Sequence, residues 1–264
     1  MQPSESWASG AAYEPYVGRW SRLVAADFIQ GLGIPAQRRW LDVGCGTGAL
    51  SATILAMAQP ASVRGVDRSA EFVAYARTHV VDARVTFEAG DAQSLPLDDA
   101  SCDVAVSALA LNFFPDPVGA LREMARCTGP QRVVAAYVWD YGGRMQMLRH
   151  FWNAAANLDA TARDLDEGRR FPICQPDALH SAFVAAGLSS VQTRPIDVST
   201  VFRDFDDYWV PFLGGQGPAP SYVRSLTDAQ CAGLRERLRR SLPTALDGSI
   251  ALIARAWTAR GMSA

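Results

Sequence analysis

Lysine does not occur in this chain: all 25 basic residues are Arg. That excludes a lysine Schiff base or a lysine general base. Against 27 acidic residues the net charge is −2, so no broad cationic field exists for duplex nucleic acid. Histidine is scarce, at three residues. The five cysteines (Cys45, Cys102, Cys127, Cys174, Cys231) include no C-x-x-C pair, which predicts reduced thiols and neither a disulfide framework nor a zinc site. No apolar run has the length a membrane span needs. Met1 to Ala12 lacks a basic flank followed by an apolar core, so no signal peptide is expected and a cytoplasmic location is.

What is present is an alternation of apolar runs with helix-like segments. Strands are expected at Arg39–Val43, Ser62–Val66, Arg84–Ala89, Asp103–Leu111 and Arg132–Trp139. Between them, Ala49–Ala58, a segment capped by Ser69, and Val118–Cys127 read as helices. The Asp103–Leu111 run is nearly all apolar, as a parallel strand covered on both faces must be. This βαβα rhythm predicts a doubly wound α/β sheet. The second half breaks the rhythm. Met145–Asp159, Pro176–Ala186 (ending at Gly187) and Asp228–Leu242 read as helices, and Ser190–Val198 and Ser249–Thr258 as strands. A single domain over 1–264 is expected, with an N-terminal helical cover at about 11–31 and cap insertions at about 140–175 and 202–242.

The strongest local signal is Leu41-Asp42-Val43-Gly44-Cys45-Gly46-Thr47-Gly48, between an expected strand and an expected helix. Glycines there permit left-handed backbone and close approach of a ligand to the main chain. The spacing is G-x-G-x-G, not the G-x-G-x-x-G of dinucleotide sites. Asp67 ends the next strand, where a carboxylate accepts ribose hydroxyls. Asp91, in Ala89-Gly90-Asp91-Ala92, ends the third and can meet an adenine amine. Turn capping is the competing role for either acid alone. Jointly with the glycine loop, they mark a ligand crevice along successive strand ends.

These stretches, with Leu95-Pro96-Leu97 and Cys102–Ser107, resemble the class I S-adenosylmethionine-dependent methyltransferases. The likeness is to the small-molecule branch that includes the ubiquinone and menaquinone C-methyltransferases. It is specific over about 38–140 and looser elsewhere. It implies a Rossmann-like seven-stranded sheet, helices on both faces, with the last strand antiparallel. It also implies S-adenosyl-L-methionine as cofactor and S-adenosyl-L-homocysteine as product. By position, Asp42, Gly44, Gly46 and Gly48, with Cys45 in the same loop, would surround the methionine end. Asp67 would hold the ribose, Asp91 and Ala92 the adenine, Arg68 would lie beside the adenosine, and Ser107 near the sulfonium. Tyr13, Tyr16, Arg19 and Trp20 resemble the N-terminal helix that such enzymes lay over the cofactor; aromatic faces attract a sulfonium and Arg19 suits its carboxylate. Two departures stand out. Thr128-Gly129-Pro130-Gln131 replaces a common P-G-G turn, and Leu111-Asn112-Phe113-Phe114 stands where many relatives have His. The N-P-P-Y signature of amino-group methylation is missing.

The expected reaction is in-line methyl transfer to a small molecule, with no nucleic acid or membrane partner. Because the donor is already activated, positioning and water exclusion are the main tasks. The candidate acceptor-side residues are His150 and Tyr141, with Asp140 orienting the substrate; no metal is expected. The aromatic cluster from Phe202 to Phe212, with Asp204, Asp206 and Asp207, is a candidate pocket closure. A nicotinamide oxidoreductase would want the longer glycine spacing and a Tyr-x-x-x-Lys pair, which a chain without Lys cannot supply. A non-catalytic binder of the same cofactor would show the same Asp67 and Asp91.

Overall fold

The computed structural model describes residues 19–214 and 217–264. Its centre is a seven-stranded sheet of order β3-β2-β1-β4-β5-β7-β6. The strands are β1 (Arg39–Val43), β2 (Ser62–Asp67), β3 (Val85–Ala89), β4 (Val104–Ala108), β5 (Val133–Trp139), β6 (Ser189–Phe202) and β7 (Ile250–Met262). β1 to β5 pair in parallel, and β7 runs antiparallel to β5, with Val133 opposite Met262 and Trp139 opposite Ala256. This is the mixed sheet that the family likeness implies. β5 is buried at every position, and β1 at all but its first. That is why these strands read as continuous apolar runs instead of alternating ones.

Helices connect the parallel strands: α1 (Arg19–Leu32) precedes β1, α2 (Ala49–Met57) joins β1 to β2, α3 (Ala70–His79) joins β2 to β3, and α4 (Pro117–Thr128) joins β4 to β5. Local chemistry sets their ends. The Ser69 hydroxyl accepts the Phe72 N–H, and the Asp116 carboxylate accepts the Gly119 N–H with Pro117 at the first turn. In α1, Trp20, Val24, Phe28 and Leu32 are all buried, the spacing of one helical stripe. α7 (Pro176–Ala185) follows α5 (Gln146–Leu158) and the short α6 (Glu167–Arg170) and ends at Gly187, whose φ of +86° suits the expected cap.

β4 departs from expectation. The apolar run predicts a strand to Leu111, yet the strand stops at Ala108. Leu109 takes a left-handed φ of +56° while its N–H still reaches the Tyr137 carbonyl at 2.8 Å. A 3-10 turn, Leu111–Phe113, then replaces the strand. β7 in turn runs past Thr258 to Met262 because its end stays paired with β5.

The chain divides into two units. One comprises 21–139, 173–196 and 256–264 and holds β1 to β5 with the glycine loop. The other comprises, among the described residues, 19–20, 140–172 and 197–255. The second contains α8 (Phe205–Trp209), α9 (Pro218–Ser225) and α10 (Asp228–Ser241), besides α5 and α6. Its core is aromatic. Phe151 stacks on Phe212 at 4.5 Å between centroids and meets Trp152 edge-on at 5.0 Å. The Tyr208 hydroxyl donates to the Met147 carbonyl at 2.9 Å. Trp20 lies edge-on to Phe202 at 5.7 Å.

Candidate active site

The glycine loop leaves β1 with Gly44, Gly46 and Gly48 all at positive φ (+72°, +52° and +85°). The three differ in what surrounds them. A Cβ on Gly44 would lie 2.5 Å from the Ala110 Cβ, and one on Gly48 would lie 2.9 Å from the Val80 side chain. Those two glycines are needed for packing. A Cβ on Gly46 meets nothing within 4 Å. Gly46 therefore faces open space, as the floor of a ligand cradle does.

The loop's amides are held by the protein. The Gly44 and Cys45 N–H groups donate to the Val66 carbonyl at 2.8 and 3.1 Å, and the Gly46 N–H donates to Asp67 Oδ2 at 2.9 Å. A pyrophosphate would compete for these donors, so the arrangement differs from a dinucleotide cradle. The Cys45 thiol is buried with Val73, Ala76 and Phe87. Burial, then the nearby Asp42 and Asp67 carboxylates, push it far above the ordinary thiol range, so it is inert and only its backbone is on offer to a ligand.

Asp67 does two jobs at the end of β2. Its Oδ2 takes the Gly46 N–H and its Oδ1 takes the Ser69 N–H at 2.8 Å. The turn-capping role is thus real, and lone pairs on both oxygens stay free for a diol. Asp91 is exposed, beside the buried Ala92; its carboxylate accepts the Gln93 N–H at 2.9 Å and its carbonyl the Ser94 N–H at 3.0 Å. Arg68 is exposed next to Asp67.

Asp42 is fully buried. Its Oδ2 accepts the Ser51 hydroxyl at 2.7 Å, while its Oδ1 has no partner. Burial lifts this carboxyl to about 7, opposed by the Ser51 hydrogen bond and helped by the Asp67 charge. Ser107, on the adjacent β4, is also buried with an unpartnered hydroxyl. Asn112, in the turn after β4, is buried with neither amide atom satisfied. Among native buried groups such orphans are few and need an explanation. In the sequence Asn112 stood out only as part of the segment from Leu111 to Asp116, where many relatives have His.

The acceptor-side candidates lie in the second unit. The Asp140 carboxylate accepts the Arg144 N–H at 2.8 Å, and a Cβ on Gly143 would lie 2.5 Å from it, so Asp140 organises its own turn. Tyr141 is buried, its ring 6.1 Å from that of Phe171. His150, on α5, is half-buried, and burial lowers its pKa below the ordinary imidazole range. The Phe202–Phe212 cluster proves to be packed core, and its acids are engaged. Asp204 caps α8 through the Asp207 N–H, and Asp206 pairs with Arg235 at 2.7 Å. Tyr13, Tyr16 and the side chain of Arg19 lie outside the described residues. Among the described residues, no cluster of His, Cys, Asp and Glu is placed to hold a metal ion.

Comparison with known proteins agrees with this geometry. Residues 41–135 match the methyltransferase domain family. A malonyl-[acyl-carrier protein] O-methyltransferase of Pectobacterium atrosepticum is 33% identical over 53% of this chain and 53% of its own length. The chain thus spans about half of that relative. The Streptomyces halstedii methyltransferase GfsG is 29% identical over 81% of this chain and 77% of its own. A solved structure of Haemonchus contortus phosphoethanolamine N-methyltransferase 2 with S-adenosyl-L-methionine shares the fold. Its TM-score is 0.58 at 16% identity, covering 95% of this chain and 56% of that one. Over residues 41–135 the chain is thus similar to the methyltransferase domain family, and it shares the fold of a methyltransferase solved with S-adenosyl-L-methionine.

Proposed function

We propose that this protein transfers the methyl group of S-adenosylmethionine to a small-molecule acceptor. The observations that carry the reading are the open space at Gly46, in the loop after β1, and the unpartnered Asp42 Oδ1 and Ser107 Oγ, each one residue from the C-terminal end of its strand, β1 or β4. These fit the cofactor's methionine end: Asp42 can accept from an ammonium, and the bare Gly46 backbone admits a close ligand. Asp67 would hold the ribose diol, with Arg68 beside the adenosine, and Asp91 and Ala92 would meet the adenine. Tyr13, Tyr16, Arg19 and Trp20 are proposed to cover it.

When bound, the cofactor supplies an electrophilic methyl group on sulfur. Asp42, Gly46 and Asp67 would hold it and offer that methyl to a lone pair of the acceptor, the carbon–sulfur bonding pair staying with sulfur. The chain's contribution is to fix the approach and exclude water. An acceptor that arrives protonated must lose its proton. His150, kept neutral by burial, has the protonation state of a base; Tyr141 and Asp140 are the other candidates. The test is calorimetric titration with S-adenosylhomocysteine, followed by a screen of small-molecule acceptors with a labelled methyl donor. Binding with transfer to an acceptor supports the proposal. Binding without transfer to any small molecule would favour a non-catalytic binder.

A further inference from the structure

Asn112 is 9% exposed, and neither its Oδ1 nor its Nδ2 has a hydrogen-bond partner. An unpaired buried polar group costs about 1–3 kcal/mol, so a carboxamide with both ends unpaired is a standing cost in the ligand-free protein. The backbone around it is shaped to hold it there. Leu109, at φ +56°, turns the chain sharply out of β4, a conformation that is an outlier for a bulky residue and that clusters at functional sites. The Phe113 N–H closes the turn on the Ala110 carbonyl at 2.9 Å. Ala110 and Phe114, on either side of Asn112, both press on Gly44, where a Cβ would lie 2.5 Å from one and 3.1 Å from the other. The turn bearing Asn112 is clamped onto the glycine loop.

Strand order says which part of the ligand Asn112 faces. β3, β2, β1 and β4 are successive neighbours. On the function proposed above, adenine lies at Asp91 after β3, ribose at Asp67 after β2, and the methionine end at the loop after β1. Asn112 follows β4, one step further along, where an acceptor must approach the sulfur. The cofactor's ammonium, diol and adenine amine have claimants in Asp42, Asp67 and Asp91, and its carboxylate has one in Arg19. We infer that Asn112 is a positioning residue whose carboxamide faces the methyl being transferred and orients a hydroxyl acceptor. A hydroxyl matches both amide atoms: it donates to Oδ1 and accepts from Nδ2–H. An ammonium has no acceptor for Nδ2–H, and a carboxylate has no donor for Oδ1. A carboxamide takes no proton at neutral pH, so Asn112 orients the oxygen without deprotonating it.

The test compares two ligands by calorimetry: S-adenosylhomocysteine, which has nothing at the methyl position, and sinefungin, which carries an amine there. Asn112→Leu should leave S-adenosylhomocysteine affinity within about twofold and weaken sinefungin about tenfold, the loss of one charge-assisted hydrogen bond. Asn112→Asp should shift the ratio the other way. The ligand-free Asn112→Leu protein should melt no lower than wild type, because an unpaired polar group has been removed. A sinefungin-to-homocysteine affinity ratio that is the same in all three proteins overturns the inference, as does an equal loss of both ligands in Asn112→Leu. Wild-type protein that binds neither ligand defeats the cofactor reading itself, which is a different result.

Discussion

Asp67 and Asp42, two carboxylates of the proposed site, are under opposite constraints. Asp67 holds the Gly46 and Ser69 amides, so it is fixed before any ligand arrives. Asp67→Ala should weaken S-adenosylhomocysteine binding roughly tenfold to a hundredfold, the cost of charge-assisted hydrogen bonds to a diol, read by calorimetry. Unchanged affinity would remove Asp67 from the site. Asp42 is buried with one oxygen unpaired, and its pKa is raised from 3.8 to about 7. Between those values the unfolded chain gives up this proton while the folded chain keeps it. Folding stability therefore falls as pH rises through that window and levels off above it. Glu167, buried in the second unit and also lifted to about 7, acts in the same direction. Asp42→Asn should make the ligand-free protein's melting temperature fall less between pH 5 and pH 8 than wild type's. An identical fall in both would mean that Asp42 is ionised at neutral pH without penalty.

At the scale of elements, the loop between β1 and α2 is expected to separate folding from binding within a few residues. Gly44→Ala drives a Cβ into Ala110 and should destabilise the fold. At Gly46 a Cβ meets no neighbour, so the main cost of Gly46→Val is the backbone strain of a β-branched residue at φ +52°, about 1–3 kcal/mol. The variant should fold, seen as a cooperative melt, and fail to bind S-adenosylhomocysteine. Tight binding by Gly46→Val would mean that the loop does not cradle the ligand. This loop was legible in the sequence because a strand-to-helix turn writes its backbone needs directly into glycine spacing. The end of β4 was not. Nothing in Ala108-Leu109-Ala110-Leu111 signals a left-handed Leu109, and the next residue, Ala110, packs against Gly44, far away in sequence. Asn112 stayed hidden for the same reason: an unsatisfied carboxamide is a property of packing, and the sequence shows only a polar residue after an apolar run.

For the molecule as a whole, the parallel strands could be read from their apolar runs, and the second unit only in outline. Its helices were visible as periodic stripes, but the burial of Phe202, Tyr208 and Phe212 was not, since aromatic residues between acids read equally well as a pocket wall. Their packing makes a direct claim on stability. Phe151→Ala removes the ring stacked on Phe212 and set against Trp152, and should cost about 3–5 kcal/mol in denaturant unfolding. A loss below about 1 kcal/mol would mean that this cluster is not a core.

The measurement that bears most directly on the whole account is the melting temperature of the purified protein with S-adenosylmethionine, S-adenosylhomocysteine and NAD added separately. A ligand that binds only the folded chain must raise it. The account predicts a rise with both sulfur nucleosides and none with NAD. A rise with NAD alone, or with none of the three, would contradict it.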